Sequence, residues 1–193
     1  MITADKAIKI IRSRLSEERF NHSLRVAQAA QRLSESYALP QEPAYLAGLL
    51  HDYAKGLSGS ALVSLAEENG LITENIERLI PDILHAPVGA FLVEKELGVD
   101  DTEILKAIRN HTLGEANMGI LEKIIYLADM MEPGRDYPGR ERLECLAFRS
   151  LDEAMLFGLE STIKYCVDRK RLLHPKTVDV RNFLLLQAQK GRI

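Results

Sequence analysis

The sequence predicts an all-α fold, one domain of about nine to eleven helices. Apolar residues recur every third or fourth position through most of the 193 residues. Alternating strand patterns are few, and no internal repeat or low-complexity segment interrupts the chain. A composition of 46% hydrophobic and 27% charged residues suits a soluble chain with a single core.

Each element follows from its own signals. Ala4, Ile8, Ile11 and Leu15 form a helical stripe behind a Thr3 cap. Ser16 caps a second helix with Phe20, Leu24, Ala27, Ala30, Leu33 and Tyr37 on one face. Pro40 and Pro43 mark a break, and Pro43 suits a first turn. The next helix is expected to run through Leu46, Leu49 and Leu50 and to stop at Gly56 as a left-handed C′ residue. "SALVSLAEENG" makes a short helix closed by Gly70. Thr73 is expected to start another, broken by Pro81. "HAPVGAFLVEKELG" carries Pro87 early and Gly98 at its end. Ile104, Ile108 and His111 share a face of "TEILKAIRNH", as do Leu121, Ile125 and Asp129 of "ILEKIIYLADMM". "EPGRDYPGR" (132–140) is a loop. A long helix is expected from Ser150 to about Leu172. Pro175 interrupts, and a last helix runs from Thr177 to Lys190.

The net charge of −3 gives no sign of a nucleic-acid partner. Cys145 and Cys166 have no metal or disulfide spacing and read as buried thiols. The start, "MITADKAIKIIRSRL", does not read as a signal peptide, and no run of about 18 apolar residues suggests a membrane span. A cytoplasmic protein is expected. A homodimer suits a helical domain of this size, although no residue marks an interface.

The polar residues that break the pattern carry the chemistry. There are five histidines: His22, His51, His85, His111 and His174. His22, His51 and His111 fall on inward faces of separate helices. His51 and Asp52 end an apolar run, and Asp129 is flanked by apolar residues on both sides. A buried carboxylate is costly unless something positive pairs with it. Inward imidazoles and carboxylates from several helices are how helical folds build metal sites. The residues alone reach a metal-site candidate with hydrolytic chemistry.

The order His22, His51-Asp52, Asp129 resembles the H…HD…D pattern of the HD-domain superfamily of metal-dependent phosphohydrolases. The spacings are 29 residues to His51 and 77 from Asp52 to Asp129. "NHSLRVA", "LLHDYAKG", "ILHAPVGA", "IRNHT", "IIYLADMMEPGRDYPG" and "LLHPKTVDVRNF" look like the YqeK-like family over nearly the full chain. The resemblance implies a single domain over 1–193. Its HD core lies at about 18–132, and helices at about 140–193 complete a nucleotide pocket. It implies symmetrical hydrolysis of diadenosine tetraphosphate to two ADP with bound iron. His85 and His111 fall where two-metal members of the superfamily carry extra histidines.

His22, His51, Asp52 and Asp129 are the expected ligands of one divalent transition metal. A mixed N/O set suits iron, manganese or cobalt better than a thiolate metal. Asp52 is expected to bind the metal and to orient the attacking water. Asp52, His85 and His111 are the catalytic candidates, the histidines as phosphate or proton donors. A tetraphosphate needs positive groups. Lys55, Arg135 and the basic run "DRKRLLHPKT" are candidates, the run reading equally as a solvated helix end. Tyr137 could stack on a base or simply pack. The candidate nucleotide contacts are His22, Asp52, Tyr53, Ala54, Lys55, His85, His111, Arg135, Lys170, Arg171, His174 and Pro175. The alternatives are an HD phosphohydrolase acting on a deoxynucleoside triphosphate, a cyclic nucleotide or a guanosine alarmone, and a metal- and nucleotide-binding sensor without turnover. A structural helical protein with buried histidines is the third.

Overall fold

A computed structural model describes residues 2–190, and no strand occurs among them. Ten α-helices follow in order: α1 Ala4–Arg14, α2 Glu17–Ser36, α3 Gln41–Leu50, α4 Gly59–Glu68, α5 His85–Leu97, α6 Thr102–Asn110, α7 Ile120–Met131, α8 Arg140–Ala147, α9 Leu151–Asp168 and α10 Pro175–Lys190. The expected caps are in place. Thr3 and Ser16 accept the amides of Lys6 and Arg19, and Ser150, expected as the first residue of its helix, instead caps it by accepting the amide of Glu153. Gly70 and Gly98 adopt the left-handed φ that ends a helix without a Cβ penalty. Among the described residues, no helix is long and apolar enough to cross a membrane.

Helix α2 packs on α3 and α7, and α6 packs on α3, α5 and α7. Ala27, Ala30 and Leu33 of α2, Leu49 and Leu50 of α3, Ile104 and Ile108 of α6, and Ile124 and Ile125 of α7 are fully buried in one core. Helices α8 and α9 close the far side of α7, and α10 lies on α9.

The structure departs from the periodicity where polar groups override it. Helix α3 ends at Leu50, not Gly56. His51 Nδ1 donates to the Gly48 carbonyl at 2.8 Å, and tight turns follow, with Tyr53 N bonded to Leu50 O and Lys55 N to Asp52 O. Gly56 is not among the left-handed glycines. No helix starts at Thr73; 3-10 turns at Asn75–Arg78 and Pro81–Leu84 replace it. There the Glu77 carboxylate accepts the Thr73 amide and hydroxyl, each at 2.8 Å. Helix α9 stops at Asp168 because Lys170 turns to φ 52°. Pro175 opens α10 and does not precede it. Cys145 is exposed and Cys166 half-buried, contrary to the buried thiols expected. Leu143 and Ala147 take the inner face of α8, which turns Cys145 outward.

The α2–α3 contact depends on a missing side chain. A Cβ on Gly48 would stand 2.6 Å from Ala27 Cα and 2.9 Å from Ala27 N. Both atoms are backbone, so relief requires moving a helix. Gly48→Ala should therefore cost about 1–3 kcal/mol or more, read as a lower urea midpoint. A Cβ on exposed Gly98 meets nothing within 4 Å. Gly98→Ala should cost only its backbone strain, about 1–2 kcal/mol.

Candidate metal centre

Five elements deliver polar groups to one point. His22 comes from α2, His51 and Asp52 from the turn after α3, His85 from the start of α5, His111 from the end of α6 and Asp129 from α7. All four imidazoles and Asp52 are at most 5% exposed. The tight turn explains how adjacent residues reach one place. On a continuing helix His51 and Asp52 would point about 100° apart.

Each of these histidines anchors Nδ1 on an acceptor. His51 uses Gly48 O, His85 uses Asp82 O, and His111 uses Ile108 O at 2.7 Å. His22 Nδ1 instead meets a carboxylate oxygen of Glu132 at 3.1 Å. Acceptors place the ring hydrogen on Nδ1, which turns every Nε2 inward. The inward atoms form two groups. His22 Nε2, His51 Nε2, Asp52 Oδ2 and Asp129 Oδ1 are one, separated by 3.1 Å (His22–Asp129), 3.2 Å (His22–His51), 3.7 Å (each His to Asp52) and 3.9 Å (His51–Asp129). Asp52 Oδ1 faces the other, 3.2 Å from His85 Nε2 and 3.9 Å from His111 Nε2, which are themselves 3.0 Å apart.

Electrostatics fix the protonation states. Burial pushes the His111 imidazole down to about 3, and neighbouring histidines add to that. Burial likewise lowers His51 against the pull of Asp52 and Asp129. Burial also opposes the charge on Asp52, but the imidazoles of His51, His85 and His111 hold its carboxyl well below the usual range. Asp129 is held ionised against burial by His22 and nearby cationic groups, Arg135 among them. Burial would lower His22, but its hydrogen bond to Asp129 and the nearby carboxylates raise it. A cation bound here therefore competes with the His22 proton. Lone pairs and two carboxylates converge, which is the chemistry of a divalent N/O metal site. Adjacent ligands about 2.1 Å from a six-coordinate metal stand about 3 Å apart, close to the shortest separations seen. The donor set fits a divalent metal.

Cationic groups surround this cluster. Arg135 pairs with the Asp129 carboxylate, and its Nε donates to Asp129 O at 3.0 Å. Lys55 Nζ lies 3.2 Å from Asp82 Oδ2 and 3.3 Å from His85 Nδ1. Arg19 and Glu132 escaped the sequence reading. Arg19 Nη1 is 3.2 Å from Asp52 Oδ2, and Glu132 is buried behind His22. Both stand three residues from a candidate ligand at helical spacing, a signal that was available.

Two cavities flank the cluster. One of about 550 Å³ is lined by Met130, Arg135, Tyr137, Thr162 and Tyr165, beside Asp129. One of about 180 Å³ is lined by Leu84, Ala86, Asn110, Thr112, Glu77 and Lys176, beside His85 and His111. Arg171 stacks on Tyr165 at 5.3 Å, at the rim of the first. Buried His174 lies 3.4 Å from Glu77, behind the wall of the second. Four expected contacts lie elsewhere. The Tyr53 side chain is buried away from the cluster, donating to Glu96 at 2.6 Å and holding Arg14. Ala54 is fully buried and packs near Gly89. Lys170 and Pro175 are exposed at the α9–α10 connection and line neither cavity.

A family model described as HD domain matches residues 19–134. A Halalkalibacterium halodurans protein named bis(5'-nucleosyl)-tetraphosphatase, symmetrical, is 37% identical over 184 residues, covering 95% of this chain and 98% of that protein. A Bacillus subtilis protein of the same name is 33% identical over 181 residues, covering 94% and 97%. A crystal structure from Clostridium acetobutylicum, described as a predicted HD superfamily hydrolase involved in NAD metabolism, superposes with a TM-score of 0.93. It is 37% identical and covers 97% of this chain and 99% of its own.

The buried His111 yields a pH prediction. The folded ring stays neutral down to about 3, whereas the unfolded one takes its proton near 6.5. Within that window the unfolded state binds the extra proton, so stability falls as pH drops from 6.5 toward 3. One uncompensated proton is worth about 1.4 kcal/mol per pH unit. In urea unfolding of chelator-treated protein, His111→Gln should lose stability less steeply than the parent between about pH 6 and pH 4.

Proposed function

The chain belongs to the HD domain family, in its YqeK-like branch, and on that premise we propose that it hydrolyses diadenosine tetraphosphate symmetrically to two ADP. The observation that carries this reading is the pair of acceptor groups joined through the two oxygens of Asp52, with a cavity on either side. His22, His51, Asp52 and Asp129 hold one divalent metal. Iron is favoured, and manganese or cobalt suit the same donors. The bound metal supplies Lewis-acid polarisation of the attacked phosphoryl group and acidifies water.

The chain's own groups do the rest. Asp52 Oδ2 belongs to the ligand set, leaving Oδ1 to orient the attacking water. His85 acts as the acid with a hydrogen on both ring nitrogens: Nδ1 stays on Asp82 O, and Nε2, 3.2 Å from Asp52 Oδ1, gives its proton to the departing ADP, while the proton released by the attacking water passes through Asp52 Oδ1 back to His85. His111 stays neutral and fixes His85 through their 3.0 Å contact. Arg135, which lines the larger cavity, and Lys55, beside His85, neutralise phosphate charge. Tyr137 and Tyr165 offer aromatic faces in the larger cavity, which suits an adenine ring. Room on both sides of the metal favours attack at the middle of the phosphate chain. ADP is then both product and competitive inhibitor, and a cytoplasmic location accords with a nucleotide substrate.

Product chromatography on diadenosine tetraphosphate, with metal content measured on the same sample, tests the reading. ADP alone, with metal near one per chain, is expected. Equal AMP and ATP would overturn the symmetrical cut. His51→Ala and Asp129→Ala should each lose most bound metal and turnover while staying folded. His85→Ala should keep its metal and turn over slowly, and a fall from two metals to one in that variant would refute the single-metal assignment. Lys55→Ala and Arg135→Ala should weaken nucleotide binding roughly ten- to hundredfold, the range for losing a charge-assisted contact.

A further inference from the structure

Glu132 caps the end of α7 and is 2% exposed. A carboxylate so placed is costly unless fully paired, and this one is. Oε1 faces His22 Nδ1 at 3.1 Å, while Oε2 accepts Arg25 Nε at 2.5 Å and the Gly134 amide at 2.6 Å. Burial would raise its pKa, but these partners lower it and keep it charged. The other cluster histidines anchor Nδ1 on a backbone carbonyl three residues earlier in the chain. His22 alone among the four has its Nδ1 on a carboxylate, from a residue 110 positions away.

We infer that Glu132 is a positioning residue that sets metal affinity by fixing the hydrogen of His22 on Nδ1, and that it ties this to the 132–140 loop through the Gly134 amide. The inference rests on the reading of the cluster as a metal site and adds a residue outside the ligand set. A carboxylate accepts and cannot donate, so His22 Nδ1 carries a hydrogen toward Glu132; a cation that displaces the Nε2 hydrogen facing Asp129 leaves the Nδ1 hydrogen in place and Nε2 as the coordinating atom. The negative charge also raises the basicity of His22 as a ligand. Arg135, which pairs with Asp129, follows Gly134 directly in the loop. One carboxylate therefore positions a ligand and the start of the segment that carries a phosphate-neutralising cation.

Glu132→Gln separates this role from simple packing because it preserves shape. Two short bonds, from Arg25 Nε at 2.5 Å and the Gly134 amide at 2.6 Å, end on Oε2, against one 3.4 Å contact from Arg25 Nη2 at Oε1, so the amide oxygen takes the Oε2 place. The amide NH₂ then faces His22 Nδ1 and donates to it, which moves the ring hydrogen to Nε2, where the metal needs a lone pair. A wrong histidine tautomer in unchanged geometry is a strong defect.

Mn²⁺ affinity is measured by chelator competition at mildly alkaline pH, with thermal unfolding alongside. Glu132→Gln should bind Mn²⁺ roughly 10–100-fold more weakly than the parent, the usual range for removing such a partner. Glu132→Asp, which keeps the charge, should recover part of the loss. In the Zn²⁺-loaded parent, ¹⁵N–¹H spectra should place the remaining His22 ring hydrogen on Nδ1, a readout that needs no variant to fold. Unchanged Mn²⁺ affinity in a folded Glu132→Gln protein, or a hydrogen on Nε2 in the parent, would overturn the role of Glu132 and leave the metal reading standing. A parent that takes up no Mn²⁺ would overturn both.

Discussion

The ionised carboxylate of Asp52, 3% exposed at the centre of the bundle, is the constraint on which the structure depends. A charge in that position survives only if other groups surround it. His22 and His51 stand on one side of it, His85 and His111 on the other, and Arg19 reaches its outer edge. These partners come from α2, α5, α6 and the turn after α3, so the carboxylate is satisfied only when those elements are docked. The approach of α2 and α3 at Gly48 serves the same end. The residue that lets the helices meet also offers the carbonyl that orients His51.

The two sides of Asp52 are unequal. On the His22 side a second carboxylate, Asp129, and the buried Glu132 behind the imidazole concentrate negative charge. On the His85 side the remaining partners are imidazoles, one held neutral by burial, with Lys55 close by. On the first side two carboxylate oxygens and two imidazole nitrogens converge inside a ring of arginines, the donor set a cation requires; on the second, imidazoles and a lysine offer donors to phosphate. An apolar wall of fully buried Leu50, Ile108 and Ile125 keeps the local dielectric low, which strengthens both effects.

Much of this was legible in the sequence, because the ligand positions sit on helical stripes. Asp129 follows Leu121 and Ile125 at spacings of four, so its inward direction could be read from periodicity. The Thr3 and Ser16 caps were equally plain. The failures share a cause. Tyr53 and Ala54 follow Asp52 directly in the chain, but the tight turns after Leu50 send neighbours in different directions. Gly56 looked like a helix terminator, whereas the bond from His51 to Gly48 O precedes it. Glu132 read as the first residue of a loop because its partners His22 and Arg25 lie 110 and 107 positions away. Helix α8 showed no stripe, since only Leu143 and Ala147 of its residues are buried. Local pattern finds faces of helices, and it does not find the long-range polar bonds that end helices or orient ligands.

Anomalous diffraction from crystals of the metal-loaded protein addresses the central claim directly, because it locates the cation relative to the two oxygens of Asp52. The account predicts one strong peak within bonding distance, about 2.1 Å, of His22 Nε2, His51 Nε2, Asp52 Oδ2 and Asp129 Oδ1. A peak on Asp52 Oδ1, His85 and His111 with none on the other side, or no ordered metal at all, would contradict it.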